Sequence, residues 1–473
     1  MRSDSAPTTR TLTLVVAAAL FMESLTSTVI ATSLAAIAAD LQVDPLTLKL
    51  AFTAYFVALA IFIPVSGWCA DRFGARTVFA AAIAVFTLAS VGCALAWSLP
   101  SLVAGRFCQG LGGAMMLPVG RLILLRAIPK AEMVSAMAWL GIPTLFAPIL
   151  GPPVGGFITT FHHWRGIFWL NLPVGLIGLA LALWWVPQVR ATDAPPLDWR
   201  GFGLTGAGLS LAIFGFTLLG GVGGRGSHPG PALAMMAGGA LLLWLYARHA
   251  RRCPHPILDL TLLRSASLRI SIMGGNLFRL AVGALPFLLP LMLQLGFGMS
   301  AFQSGLLTFS AAVGAVTMKL TAAPILRRWG FRRVLLANAW LSSALIAALA
   351  LFTAHTPGPV IMAVLLVGGF FRSLQFTSLN TLGYADVPQA RLSRATALVA
   401  VAQQLSLAAG VAVAAMLLDG SRLASGRRLL QAEDFSHAFA AIGLLSLASI
   451  WWYRRLAPDA GAEMSGHRAA PGI

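Results

Sequence analysis

Apolar stretches of about twenty residues recur along this chain, and nothing else in the sequence constrains its fold as strongly. They cover residues 11–34, 48–69, 77–97, 101–124, 134–157, 164–186, 199–220, 231–250, 266–294, 302–325, 333–353, 358–382, 393–417 and 435–456. Each is long enough to cross the hydrocarbon core of a bilayer as a helix. Lipid offers the backbone no hydrogen-bond partner, so helices are the expected element. A membrane barrel would need roughly ten-residue alternating segments, and none occur. The predicted fold class is therefore an all-α polytopic membrane protein with 14 transmembrane helices. Composition agrees: 58% of residues are apolar and 10% charged. Soluble domains carry roughly 25% charge, and disorder needs low hydrophobicity, so both are excluded. The first apolar run is full length and follows Arg10, which reads as a retained span and not a cleaved leader.

The formal net charge is +18. Such an excess suggests nucleic acid until the charges are located. With the N-terminus inside, the loops place 23 basic residues on the inner side and six on the outer, with four inside spans. That asymmetry is a topology signal. It predicts cytoplasmic termini at both ends and removes nucleic acid as a partner. The four cysteines match no zinc or redox spacing and read as small buried hydrophobes.

Two loops repeat one pattern. The first runs Gly67 to Arg76, with Asp71, Arg72 and Gly74; the second runs Pro324 to Arg333. Aligning Gly74 with Gly330 sets Arg72 on Arg328 and Arg76 on Arg332, while Asp71 falls on Arg327. The loops match if two pseudo-symmetric six-helix bundles flank an inserted helix pair, an arrangement found among secondary transporters. The expected units are residues 1–186, a linker with two extra helices at 187–265, a second bundle at 266–457, and a cytoplasmic tail at 458–473.

Further motifs follow in order. Arg106-Phe107-Cys108-Gln109-Gly110 lies in span four, and Gly151-Pro152-Pro153-Val154-Gly155-Gly156 in span five. Trp164-Arg165-Gly166 through Asn171-Leu172-Pro173 opens span six. Together with the Asp71 loop they resemble the major facilitator superfamily, and within it the fourteen-span drug:H+ antiporter-2 family, over nearly the whole chain. The resemblance implies a secondary transporter of the bacterial inner membrane that exports small amphipathic molecules in exchange for protons. It implies a conformational latch at Gly67, Asp71, Arg72, Gly74 and Arg76, against the alternative of a static topology anchor. It also implies an antiporter-motif helix carrying Gly151, Pro152, Gly155 and Gly156. Glycine lets backbones approach closely, and proline bends the helix, so this helix suits the interface of the halves. One departure is Ala147, where the family often has glycine.

Charges inside spans are costly and point to function. Of the acids only Glu23 lies deep in a span; Asp44, Asp419 and the others map to loops, tails or helix ends. Thr26 and Ser27 share its face. The family usually has an acid at the position of Thr26, so the acid here sits one turn earlier. Two roles fit Glu23: a proton carrier, or a structural carboxylate paired with a base. Arg106 matches the family's span-four arginine, linked to proton transfer. Arg279 and Arg372 lie near mid-depth, and their charge needs a partner or a ligand. Lys319 sits close enough to a helix end to snorkel to the headgroups. Gln109, Asn276, Gln375, Asn380 and Gln403 are further cavity candidates, each alone an ordinary interhelical hydrogen-bonder. One deep acid against three deep bases would make a shared cavity positive and favour anionic or zwitterionic substrates.

Enzymatic readings fail on chemistry. The histidines lie in loops, ends or the tail, no deep His/Asp cluster exists, and no phosphate loop with Gly-Lys-Ser/Thr occurs. No metal or cofactor is expected. The expected partners are a small molecule, protons and the lipid bilayer, and the expected state is a monomer. Proton symport or facilitated uptake of a metabolite is the alternative within transport.

Overall fold

The computed structural model describes residues 9–128, 132–190, 196–221, 229–427 and 429–467. Of the basic residues used for topology, Arg2, Lys130, Arg225, Arg428 and Arg468 lie outside them, as does the end of the tail. Every regular element among the described residues is helical. A first group contains α1 (Thr9–Val29), α2 (Leu34–Asp40), α3 (Lys49–Phe73), α4 (Ala75–Ala94), α5 (Leu99–Ala127), α6 (Met133–Phe161), α7 (Gly166–Trp169) and α8 (Asn171–Trp185). Next comes the pair α9 (Trp199–Leu219) and α10 (Pro229–Ala250). A second group contains α11 (Ala266–Leu291), α12 (Ala301–Ala348), α13 (Gly358–Gly383), α14 (Leu392–Ala424), α15 (Ala432–Leu447) and α16 (Ile450–Tyr453). A short α17 (Ala462–Ser465) follows.

Twelve helical stretches among the described residues are long and apolar enough to cross a membrane, so this is a multi-pass membrane protein. The count differs from the fourteen apolar runs at two places. The apolar part of α6 with described side chains is only Leu145–Phe161. The stretch Ala301–Leu351 counts once although it has 51 residues. Its helix α12 would extend about 72 Å at 1.5 Å per residue, over twice the ~30 Å hydrocarbon core. The chain breaks direction inside it at Gly330, where φ is 69°. Gly74, the glycine aligned with it in sequence, separates α3 from α4 with φ 93°. Only glycine takes such angles without strain.

Polar residues punctuate the apolar helices. Ser98 caps α5 by accepting from Ser101 N, and Ser300 caps α12 by accepting from Gln303 N, with the Gln303 side chain bonding back to Ser300 N. Asp198 caps α9 through Gly201 N. Each cap satisfies an amide that the first helical turn leaves without a carbonyl.

Burial separates the helices by role. Within an apolar eighteen-residue segment of each, Pro45–Phe73 and Ala266–Gly296 are 78% and 72% buried, whereas α9 and α10 reach only 28% and 17%. The pair α9–α10 therefore lies at the periphery, packed on each other and touching α3 and α14. Its outward Leu233 and Trp244 suit lipid. Two buried clusters join the two groups. In one, Ile30, Ile37 and Phe52 meet Phe287, Leu291 and Phe435. In the other, Ala60 of α3 meets Leu268, Leu398 and Val399 together with Leu209 and Tyr246 of the α9–α10 pair. Two others stay within a single group. The groups thus share one core at the end of the bundle that carries Asp44 and another beside the α9–α10 pair.

Candidate functional site

Glu23 sits on α1 at mid-helix, partly accessible. Its Oε1 accepts a hydrogen bond from the Tyr55 hydroxyl at 2.8 Å. Its other oxygen lies 3.4 Å from Ser24 Oγ. Gly113 of α5 lies beside it, facing Glu23 Cγ and the Tyr55 hydroxyl. The buried Arg106 guanidinium lies over the Tyr55 ring, 4.3 Å from its centre. Arg106 donates to Gln109 Oε1 at 2.5 Å, and Gln109 donates to Ser90 Oγ at 2.7 Å. Asn171 also donates to Ser90 Oγ, and Thr26 Oγ1 lies 2.8 Å from Asn171 Oδ1. Glu23, Arg106, Gln109 and Thr26 therefore belong to one polar network inside the first group. Among the described residues no carboxylate lies within ion-pair distance of Arg106, and Glu23 has no ion pair. Arg106 nevertheless stands close enough to act on Glu23 electrostatically, without a direct ion pair.

The second group treats its two arginines differently. Arg279 is fully buried, donates to Asn380 Oδ1 at 2.8 Å, and has Phe376 5.5 Å from its guanidinium carbon. Arg372 has no hydrogen-bond or ion-pair partner among the described residues; its guanidinium folds back over Gly368. It lines a cavity of about 410 Å³ between the groups. Lys319 lines the same cavity, with Nζ 3.1 Å from Thr377 Oγ1. Ser27 contributes from α1.

The other candidates scatter. Gln375 is wholly buried, accepting from Asn338 at 2.9 Å, and serves the packing of α12 on α13. Asn276 lines a separate cleft of about 610 Å³ beside α9 and α14. Gln403 is half-buried and lines neither space. The three deep bases foreseen in one shared cavity are thus divided. Arg279 is tied into its own group, and Lys319, read from sequence as a snorkelling residue, joins Arg372 instead.

Helix α6 forms the seam. A Cβ on Gly155 would come 2.6 Å from Val29 O of α1, so its glycine permits contact of backbones. Gly151 packs on Thr28 of the same helix, while Gly156 and Pro152 face Ala301 and Gly305 of α12. Gly141 and Pro143 have side-chain positions outside the described residues. Three hydrogen bonds join the two groups among the described residues: Phe302 N to Thr160 Oγ1 at 3.0 Å, Gln294 Nε2 to Thr32 O at 3.0 Å, and Arg422 Nη1 to Asp44 Oδ2 at 2.5 Å. All lie at the Asp44 end. Arg422 also holds Asp419 at 2.5 Å, and Lys49 nearby donates to Gly221 O at 2.9 Å.

At the opposite end Asp71 accepts from Arg126 at 2.7 Å, within the first group. Phe73 O takes hydrogen bonds from Gln188 and Arg190. Gly67 and Arg72 are exposed and Arg76 half-buried. Among the described residues the loop makes no hydrogen bond to the second group. The hydrogen bonds that join the groups among the described residues thus lie at the Asp44 end, while α3 and α14 also pack on each other through apolar residues.

This geometry can be set beside known proteins. The family model described as Major Facilitator Superfamily matches residues 16–222 and 272–470. The chain belongs to the major facilitator superfamily. It is a transporter and not an enzyme. A relative in Haemophilus influenzae, named as the transport protein HsrA, is 36% identical over 448 residues, covering 94% of this chain and 96% of that one. A relative in Salmonella typhimurium, named as the multidrug resistance protein MdtD, is 36% identical over 405 residues, 85% of each chain. Among solved structures a D-xylose-proton symporter superposes with TM-score 0.66 at 17% identity, covering 93% of this chain and 97% of that one. A human organic anion transporter, MFSD10, gives TM-score 0.59 at 16% identity over 94% of this chain and all of the other. These two show the shared fold of the superfamily.

Sequence reasoning gave no site role to Tyr55, Ser90 and Arg422, met Asn171 only inside a motif, and set Asp44 aside as a loop acid. Tyr55 carried a signal, being one of four tyrosines in the chain and inside an apolar run. Asp44 and Arg422 carried none, since each sits at a helix end where charge is ordinary.

Proposed function

We propose that this transporter is a proton-coupled antiporter that exports small amphipathic molecules, of the fourteen-span drug:H+ antiporter-2 type. The observation that carries the reading is the Glu23–Tyr55–Arg106 constellation. Glu23 is the one acid deep in a span among the described residues, it is partly accessible, and it is held by a hydroxyl, with the Arg106 charge nearby but not in direct ion-pair contact. Such a carboxyl can take up and release a proton without breaking a salt bridge. The relatives named for multidrug resistance support export of drug-like compounds.

In this reading fourteen helices cross the bilayer: α12 counts twice because of the break at Gly330, and α6 crosses once. Residues 1–186 and 266–457 act as two pseudo-symmetric six-helix halves, with the pair at 187–265 inserted between them. Positive φ at both Gly74 and Gly330 supports that symmetry. The protein acts as a monomer in the bacterial inner membrane with both termini cytoplasmic, so the Asp44 end faces outward. The sealed Asp44 end then makes this the inward-facing state. The halves rock about the cavity. The seams of α6 and the Asp44–Arg422 pair part as the outer end opens. The Asp71 loop engages the second half only in that other state, which makes it a latch. Ser27, Arg372 and the Glu23 network face the central path.

The test uses proteoliposomes with a pH-sensitive dye trapped inside and an imposed pH gradient. Wild-type protein should couple dye-reported proton movement to efflux of an amphipathic compound. Glu23→Gln should abolish the coupling at unchanged expression and monodispersity. Undiminished proton-linked efflux in that variant refutes the assignment.

A further inference from the structure

The cavity between the halves has an unusual electrical wall. Of its lining side chains two are charged, Arg372 and Lys319, and both are positive; none is acidic. Arg372 has no partner among the described residues, and Lys319 reaches only the Thr377 hydroxyl. Arg372 is half-buried and Lys319 exposed, and an unpaired cation at bilayer depth is costly unless a negative charge meets it. The chain supplies none here. Asp386, the acid nearest in sequence to α13, is engaged with Ser267 at a helix end. Glu23 lies one helical turn from Ser27 and is turned to Tyr55. The remaining wall is largely apolar, with Leu285, Pro286 and Phe376 prominent. Its volume of about 410 Å³ falls in the size range of drug-like ligands.

Resting on the transport reading above, we propose that this cavity is an anion site. Its substrates are small aromatic or aliphatic molecules bearing one carboxylate or sulfonate, and the negative group docks on Arg372 with Lys319 beside it. The planar guanidinium offers paired donors that match a carboxylate or sulfonate, and the ammonium adds a point charge. The apolar wall takes the body of the molecule. The same two charges reject permanent cations. Sequence counting also foresaw a positive cavity, but with Arg279 in it; the geometry replaces that residue with Lys319.

The test is equilibrium binding to the purified protein in phosphatidylcholine nanodiscs, with empty nanodiscs subtracted and no gradient present. The probes are 8-anilinonaphthalene-1-sulfonate, its uncharged analogue N-phenyl-1-naphthylamine, and ethidium. The sulfonate should bind about tenfold or more tighter than the neutral analogue, as charge-assisted hydrogen bonds imply. Arg372→Gln should bring it to the neutral analogue's level while leaving that analogue unchanged. Arg372→Lys, which keeps the charge, should retain much of the preference, and Lys319→Gln should lose part of it. Equal or tighter binding of the neutral analogue or of ethidium overturns the proposal, as does an Arg372→Gln variant with unchanged sulfonate affinity. A further arm adds phosphatidylglycerol to the nanodiscs. Unchanged sulfonate affinity supports a soluble anion, whereas competition assigns the cations to a lipid headgroup and overturns it. Because no gradient is used, failure of proton coupling leaves this readout intact, and failure of the anion site leaves the Glu23 test intact.

Discussion

Asp44→Asn isolates the ionic part of the outer seal. Asp44 does two things: Oδ2 meets Arg422 of the other half at 2.5 Å, and Oδ1 caps the turn at Pro45 by accepting from Leu46 N at 2.9 Å. Asparagine keeps the shape and caps about as well as aspartate, so only the cross-half charge is removed. The pair is partly covered, with side chains 11% and 18% exposed. Its worth therefore lies between the fraction of a kcal/mol of open surface pairs and the 3–5 kcal/mol of buried ones; about 2 kcal/mol is a central value. Arg422 keeps Asp419, so it is not orphaned. A loss of about 2 kcal/mol multiplies the population of the alternative arrangement roughly thirtyfold. If that state starts near 1%, it rises to about a fifth of molecules. Spin labels on Trp97→Cys and His355→Cys, both exposed at this end, in a background without the native cysteines, read the separation of the halves in nanodiscs. A longer-distance population should appear in Asp44→Asn and not in a control such as Glu463→Gln in the tail. An unchanged distance distribution refutes the idea that this pair holds the halves together.

Two further substitutions probe the seam and the proton network. Gly156→Ala places a methyl group against Ala301 O, costing the sealed arrangement about 1–3 kcal/mol by overpacking. The same label pair should report opening, and transport should fall because one of the two states is penalised. Tyr55→Phe removes the hydroxyl that donates to Glu23 at 2.8 Å but keeps the ring under Arg106. Loss of one charge-assisted hydrogen bond, about 1.5–3 kcal/mol, should slow proton-driven export at least several-fold, while binding without a gradient stays as in wild type. Equal rates for Tyr55→Phe and wild type would remove Tyr55 from the coupling machinery.

The helices were legible in the sequence because lipid leaves the backbone no alternative, so hydropathy alone marks them. Gly74 and Gly330 were legible as a pair because a positive φ demands one residue type in both loops. What depth along a helix cannot tell is rotation about it. Arg279 and Arg372 lie at similar depths, yet one is tied to Asn380 and the other faces the cavity. Lys319 has a reach that allows snorkelling, and only the position of α13 beside α12 sets its ammonium against Thr377. Gln375 looked like a cavity residue for the same reason and turned out to serve Asn338. The Asp44–Arg422 pair joins residues 378 apart, and no local pattern anticipates such a meeting. Tyr55, Ser90 and Asn171 become a network only when α1, α3, α4, α5 and α8 are packed together.

The division of charge between the halves bears on how coupling works. Glu23 and Arg106 belong to the first half, while Arg372 and Lys319 are carried by the second. Substrate and proton would therefore occupy different moving bodies, and on the reading proposed above they need not compete for one group. Direct competition suits a cationic substrate, which an ionised carboxylate attracts and a protonated one releases. An anion gains nothing from that exchange, so its coupling must pass through the seams that both halves share: α6 on α12, α3 on α14, and Asp44 on Arg422. The electrical account then favours export. A proton entering and an anion leaving both move positive charge inward, and each is worth about 2.3 kcal/mol per 100 mV of inside-negative potential. A one-for-one exchange would draw about 4.6 kcal/mol from the potential alone, before any pH difference is added. A carrier built with a lone acid in one half and unpaired bases in the other has the charge layout that such an exchange requires.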